Sequence, residues 1–133
     1  MQHNRLQELS KLRLENAKSL LLTAKNLIDF GDYKSSANRS YYAIFNAMRA
    51  ELALLGIDHK KHSGVIADFR LNFIKTGVFD MKLSDIITGL LDVRSQSDYN
   101  DFFLISKDEV SAQLENAIFF VNAIEKNLNE KNI

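Results

Sequence analysis

Apolar positions along the chain recur every three to four residues, and the recurrence breaks four times. The first run, about Asn4 to Phe30, places Leu6, Leu9, Leu12, Ala17, Leu20, Leu21, Ala24, Leu27 and Ile28 at helical spacing. Gly31 closes it, because glycine accepts the left-handed backbone of a helix C-terminus. The second run, about Tyr33 to Leu55, carries a stripe of Tyr41, Ile44, Phe45, Met48, Leu52 and Leu55 and stops at Gly56. The third starts near His62 or Ser63, with Ser63 as the expected cap, and reaches Lys75 through Val65, Ile66, Phe69 and Phe73. The fourth spans about Asp80 to Gln96, with Asp80 or Ser84 as cap and Leu83, Ile86, Ile87, Leu90, Leu91 and Val93 inward. The fifth opens on Ser106-Lys107-Asp108-Glu109, the serine-to-glutamate spacing of a capping box, and continues through Val110, Leu114, Ala117, Val121, Ile124 and Leu128. Residues 129–133 are expected to fray. No alternating strand pattern stands out.

The links between runs are short, which favours antiparallel neighbours. The pattern predicts an all-α fold: an up-and-down antiparallel bundle of four long helices plus one shorter helix. At 133 residues, the chain fits one domain over residues 1–133 that can bury a core without metal or disulfide staples. Composition agrees, with no proline and five glycines.

Charge narrows the partners. Seventeen basic residues balance seventeen acidic ones, so an RNA contact has to come from a local patch rather than from bulk charge. Cysteine is absent, which removes disulfides and thiolate metal sites. No apolar run approaches the ~20 residues that span a bilayer, and Met1 to Arg5 lack the apolar stretch of a signal peptide. The expectation is a cytoplasmic protein without a membrane contact.

Candidate chemistry concentrates in Arg94-Ser95-Gln96-Ser97-Asp98-Tyr99, where an arginine, a carboxylate and a phenol fall within six residues at a helix end. A second set, Arg39, Tyr42, Asn46 and Arg49, lies on a face of the second helix away from its apolar stripe. Arginine and tyrosine there suit a phosphate. For Arg49 a plain solvated position is the simpler reading, and a dipole-complementing Arg94 paired with Asp98 is an ordinary alternative. Tyr99, Phe102 and Phe103 could equally plug the bundle end. His59 and His62 have a His-x-x-His spacing but no evident third ligand, so no metal site is expected.

Four stretches occurring in order, residues 39–45, 61–66, 73–77 and 94–99, resemble the HEPN family (higher eukaryote and prokaryote nucleotide-binding domains). The resemblance is to its small stand-alone prokaryotic branch. It implies a helical bundle that dimerises and a cleft where two copies of one polar motif meet. It further implies a toxin-like RNA- or nucleotide-binding protein paired with a nucleotidyltransferase antitoxin, with no cofactor and with metal-independent endoribonuclease activity in many relatives. The family motif is an arginine, four to six residues of which the first is polar, then a histidine. Arg94 and Ser95 match; the histidine does not, since Asp98, Tyr99, Asn100 and Asp101 fill its window. On this resemblance Arg94, Asp98 and Tyr99 are the catalytic candidates, and Arg39, Tyr42 and His62 the RNA- or nucleotide-binding ones. Tyr99 is also the tyrosine nearest the motif, where a partner enzyme would add AMP. His62 could supply the absent imidazole if the third helix starts beside Arg94. Two other functions stay open: a non-catalytic nucleotide-binding or partner-docking module, and a purely structural helical adaptor.

Overall fold

The computed structural model describes residues 2–131, with side chains from residue 4 onward. Five helices follow in order: α1 (Gln2–Phe30), α2 (Tyr33–Leu54), α3 (His62–Phe69), α4 (Met81–Tyr99) and α5 (Lys107–Lys131). The shorter α3 widens into a π-helical turn over Arg70–Ile74. No strand occurs among the described residues.

The local signals explain most of the ends. Gly31 has φ 94°, and its N–H returns to the Ile28 carbonyl at 3.0 Å. Asp32 accepts from the Ser35 N–H and Asp80 from the Lys82 N–H, which caps α2 and α4. At α5 the capping box closes in both directions: Glu109 N–H donates to Ser106 Oγ at 3.1 Å, and Ser106 N–H to Glu109 Oε1 at 3.3 Å.

Helix α2 lies at the centre, packed by α1, α3, α4 and α5. Side-chain links give the directions. Ser36 donates to the Ala24 carbonyl and Arg13 to the Arg49 carbonyl, so α1 and α2 run antiparallel. Lys82 over the Phe119 ring, with Val93 packed on the cluster that holds Val110, sets α4 against α5 in the same sense. The main core joins Tyr41, Ile44 and Met48 of α2 to Phe69, Ile87, Phe120 and Ile124. A second cluster at the α1–α2 turn holds Ala24, Ile28, Ala37, Ile105, Val110 and Leu114.

Several expectations are corrected. Leu12 is exposed, because the inward line of α1 runs Ser10, Leu14, Ala17, Ala24 and Ile28, with Arg13 beside it. Leu55 sits past the end of α2 and is exposed. Ser63 does not cap α3; Lys61 holds that position without a side-chain bond, and Ser63 is already helical. Helix α4 continues past Gln96 to Tyr99. The last turn of α5 stays helical to Lys131 rather than fraying, while Met1, Asn132 and Ile133 lie outside the described residues. Phe102 does not plug the bundle end and is 93% exposed, whereas Phe103 packs on the second cluster and Phe120 is core.

The last turn of α5 carries an ion pair absent from the sequence reading. Lys131 Nζ lies 2.7 Å from Oε1 of Glu51, which is fully buried on α2, and 4.8 Å from the Phe73 ring centroid. Burial pushes the Glu51 carboxyl above its ordinary value, and Lys131 only partly offsets it. A raised folded value means that Glu51 contributes most below its unfolded pKa of about 4.5 and that this contribution is lost as pH rises through the folded value. Glu51→Gln should therefore gain stability relative to wild type between pH 4 and 8, by on the order of 1 kcal/mol, since Lys131 can turn to water. Urea unfolding at the two pH values measures it; a variant that loses stability at pH 8 would show that the charged pair is net favourable.

Candidate functional site

The inward line of α4, Leu83, Ile87 and Leu90, advances by three or four residues, and the next step is Arg94. The core line therefore ends on a guanidinium aimed at α2. There it meets the two tyrosines that follow buried Ser40. Arg94 Nη2 donates to Tyr42 Oη at 3.1 Å. Its guanidinium carbon lies 5.4 Å from the Tyr41 ring centroid and 5.5 Å from that of Tyr42. Asp98, one turn on, places Oδ2 3.0 Å from Arg94 Nε, an ion pair whose N–H is not aimed well enough for a hydrogen bond. Arg94 is thus held from three sides and mostly covered, with 17% of its side chain exposed.

The third participant arrives from α3. The loop after α2 returns so that His62, the first residue of α3, stacks on Phe45 at 4.2 Å and meets Tyr42 edge to face at 5.5 Å. Its Nδ1 is 3.1 Å from Tyr41 Oη. Desolvation, then the positive fields of Arg94 and Arg49, hold the His62 imidazole below its usual range near ~6.5, so it is neutral at pH 7. Burial pushes the Tyr41 phenol up to about 12, with Arg94 opposing and Tyr42 adding to the shift. The phenol keeps its proton at any working pH. The first turn of α3 packs closely on the preceding loop: a Cβ on Gly64 would fall 3.0 Å from the His59 ring, and His59 itself pairs with Asp68.

The structure therefore brings together Arg94, Asp98, Tyr42 and His62 of the sequence candidates. It does not place Arg39 or Tyr99 among them. Arg39, half-buried one turn before Tyr42, donates to Asn38 Oδ1 at 2.7 Å. Tyr99 is 78% exposed beyond the Arg94–Asp98 pair. Tyr41 and Phe45 were readable only as core stripe, yet they orient His62. Arg49 is no simple solvated residue: with Arg13 it converges on Asp58 Oδ1, each at 3.1 Å. Among the described residues no group of three or more metal-ligating side chains gathers.

The arrangement offers a mostly covered cation, a neutral imidazole and two phenols, the parts that would hold a phosphodiester and move one proton. The model of the HEPN domain matches residues 10–128. The chain belongs to the HEPN family. Relatives include a Methanocaldococcus jannaschii protein named "Putative toxin MJ0142", 36% identical over 95% of this chain and 85% of its own length. A Thermotoga maritima protein of the UPF0332 group is 34% identical over 83% of each chain. A second M. jannaschii protein, named "Putative toxin MJ0605", is 33% identical over 88% of this chain and 87% of its own. The imidazole that lies within the field of Arg94 comes from the first turn of α3.

Proposed function

We propose that this HEPN domain is a toxin-like module that binds single-stranded RNA at Arg94 and cleaves it without a metal, using His62 in place of the motif histidine. The carrying observation is the packing of His62 against Tyr41, Tyr42 and Phe45 within the field of Arg94. The names of the two Methanocaldococcus relatives support the toxin part.

In this reading Arg94 holds the scissile phosphate and stabilises the charge that grows on it. His62 Nε2, the ring nitrogen that does not face Tyr41, takes the proton of the 2′-hydroxyl. The O2′–P bond forms and the P–O5′ bond breaks, and the imidazolium returns its proton to the departing O5′. This role needs the tautomer in which His62 Nδ1–H donates to Tyr41 Oη. Asp98 orients Arg94, and Tyr42 shapes the cleft. Tyr99 takes no part in proton transfer here; its exposed phenol is the acceptor of AMP from a nucleotidyltransferase antitoxin, detectable as one AMP of added mass after coexpression. The exposed apolar residues just beyond the end of α4, Phe102 and Leu104, support a homodimer whose second copy covers them and leaves the Tyr99 phenol open. No helix among the described residues is long and apolar enough to cross a membrane.

A second reading has its own observation. Stacking on Phe45 and the Tyr41 contact immobilise His62, which suits a module that binds RNA or nucleotide without cutting it. Cleavage of single-stranded RNA in EDTA, followed from pH 5 to 8, separates the two. The catalytic reading predicts a rate that rises with pH with its midpoint below about 6.5, since the base is active once His62 is neutral. It also predicts a loss of ~10²–10⁴-fold in His62→Gln. Tight binding with no cleavage by either protein would select the non-catalytic module.

A further inference from the structure

The cation that the RNA reading leaves unused is Arg49. It lies two turns along α2 from Tyr42, about 10 Å, on the same side as the His62 ring. Its guanidinium carbon sits 5.9 Å from the Phe45 ring centroid, the ring on which His62 stacks. His62 feels the fields of both Arg94 and Arg49, so two guanidiniums act on one imidazole.

The charge on Arg49 is incompletely matched. Arg13 and Arg49 share a single carboxylate, Asp58, which is 61% exposed. Arg13 is 8% exposed and also donates to the Arg49 carbonyl at 3.3 Å, which fixes the backbone carrying Arg49. Arg49 Nε is shielded from solvent with no aligned acceptor among the described residues. Two cations on one water-exposed anion leave a net positive charge beside His62, with Lys60 and Lys61 exposed in the adjoining loop. A planar guanidinium with spare donors, held against an aromatic ring, is a form suited to phosphate.

We infer that Arg49 is a second phosphate-holding cation of the same site, so that the cleft binds a ligand with two phosphate groups, one at Arg94 and one at Arg49, with Asp58 as the built-in competitor that the second phosphate displaces. The inference rests on the reading of Arg94 as a phosphate ligand. The shared chemistry fits neighbouring phosphates of a polynucleotide strand and the diphosphate of a nucleotide.

The test uses the full chain, a fluorescent 2′-O-methyl RNA of about ten nucleotides, which cannot be cleaved through its 2′ position, and ADP. Binding of each is measured from 50 to 200 mM salt for wild type, Arg49→Gln, Asp58→Asn and Arg94→Gln. Arg49→Gln should weaken binding about tenfold or more and lower the salt slope for RNA by about 0.7. Asp58→Asn should tighten binding, by up to about fivefold, because Arg49 is released. A merely structural Arg49–Asp58 pair predicts the opposite sign for Asp58→Asn. Arg49→Lys should keep the salt slope, and thermal unfolding of each variant shows that it is folded. Effects on RNA alone assign the second phosphate to a strand, and effects on ADP as well assign it to a diphosphate. Unchanged slopes in Arg49→Gln together with weakened binding in Arg94→Gln would overturn this inference and leave the Arg94 reading standing. Unchanged binding in Arg94→Gln, or no binding by wild type, would overturn both.

Discussion

Arg94→Ala should lower RNA cleavage in EDTA by ~10²–10³-fold, and Arg94→Lys should recover little of it. The size follows from removing a charge-stabilising donor from a covered site. Lysine keeps the charge but not the planar fork that reaches Tyr42 while lying against two rings. The fold should tolerate the change, since Arg94 is at the end of the α4 core line and its removal leaves Tyr42 Oη, on a half-buried residue, able to find water. Far-ultraviolet circular dichroism beside the cleavage assay checks both parts. Equal cleavage by wild type and Arg94→Ala would place the chemistry elsewhere. An unfolded variant would show that Arg94 serves the core, in which case Tyr42→Phe, which removes only the hydroxyl, becomes the diagnostic substitution.

Phe69→Ala should cost about 3–5 kcal/mol, a large part of the ~5–15 kcal/mol that holds a typical domain. Phe69 is fully buried, and its ring meets Phe73 at 5.2 Å, Phe120 at 5.7 Å and Phe79 at 5.8 Å. Its ring joins α3 to Phe120 of α5. The consequence reaches the site, because the same short helix delivers His62 at its first turn. Where the variant stays folded at low temperature, cleavage should fall further than the folded fraction explains. Phe69→Leu should retain most of both properties. Denaturant unfolding with a parallel activity measurement decides this, and a cost below 1 kcal/mol for the alanine would contradict the packing described for α3.

The fold was readable where one residue type can do one job. Gly31 and the Ser106–Glu109 pair marked helix ends because their chemistry is local. Errors arose where two apolar lines competed on one helix. Leu12 and Leu14 fit a helical stripe equally well in sequence; only contact with α2 and α5 turns Leu14 and Arg13 inward. Ser63 looked like a cap, but the cap position falls on Lys61, two residues earlier, without a side-chain hydrogen bond that a sequence motif could reveal.

The site was legible in halves. Arg94, Asp98 and Tyr42 stood out as candidates within two short stretches, whereas the meeting of His62 with Tyr42 depends on how α3 leaves the preceding loop, a tertiary matter that no spacing encodes. Arg13, Arg49 and Asp58 come from three segments and share no local pattern, and Glu51 with Lys131 are 80 residues apart. Charge clusters of this kind form only when helices are set side by side.

The central claim is that RNA enters at the Arg94–His62 cluster, and nuclear magnetic resonance tests it without requiring turnover. Isotope-labelled protein would be titrated with the 2′-O-methyl RNA while the side-chain signals of Arg94 Nε–H and the His62 ring are followed. The account predicts that these two signals, with those of Tyr42, shift first and saturate together. Shifts confined to other surfaces, such as the groove between α1 and α5 lined by Lys11, Lys18 and Glu125, would contradict it.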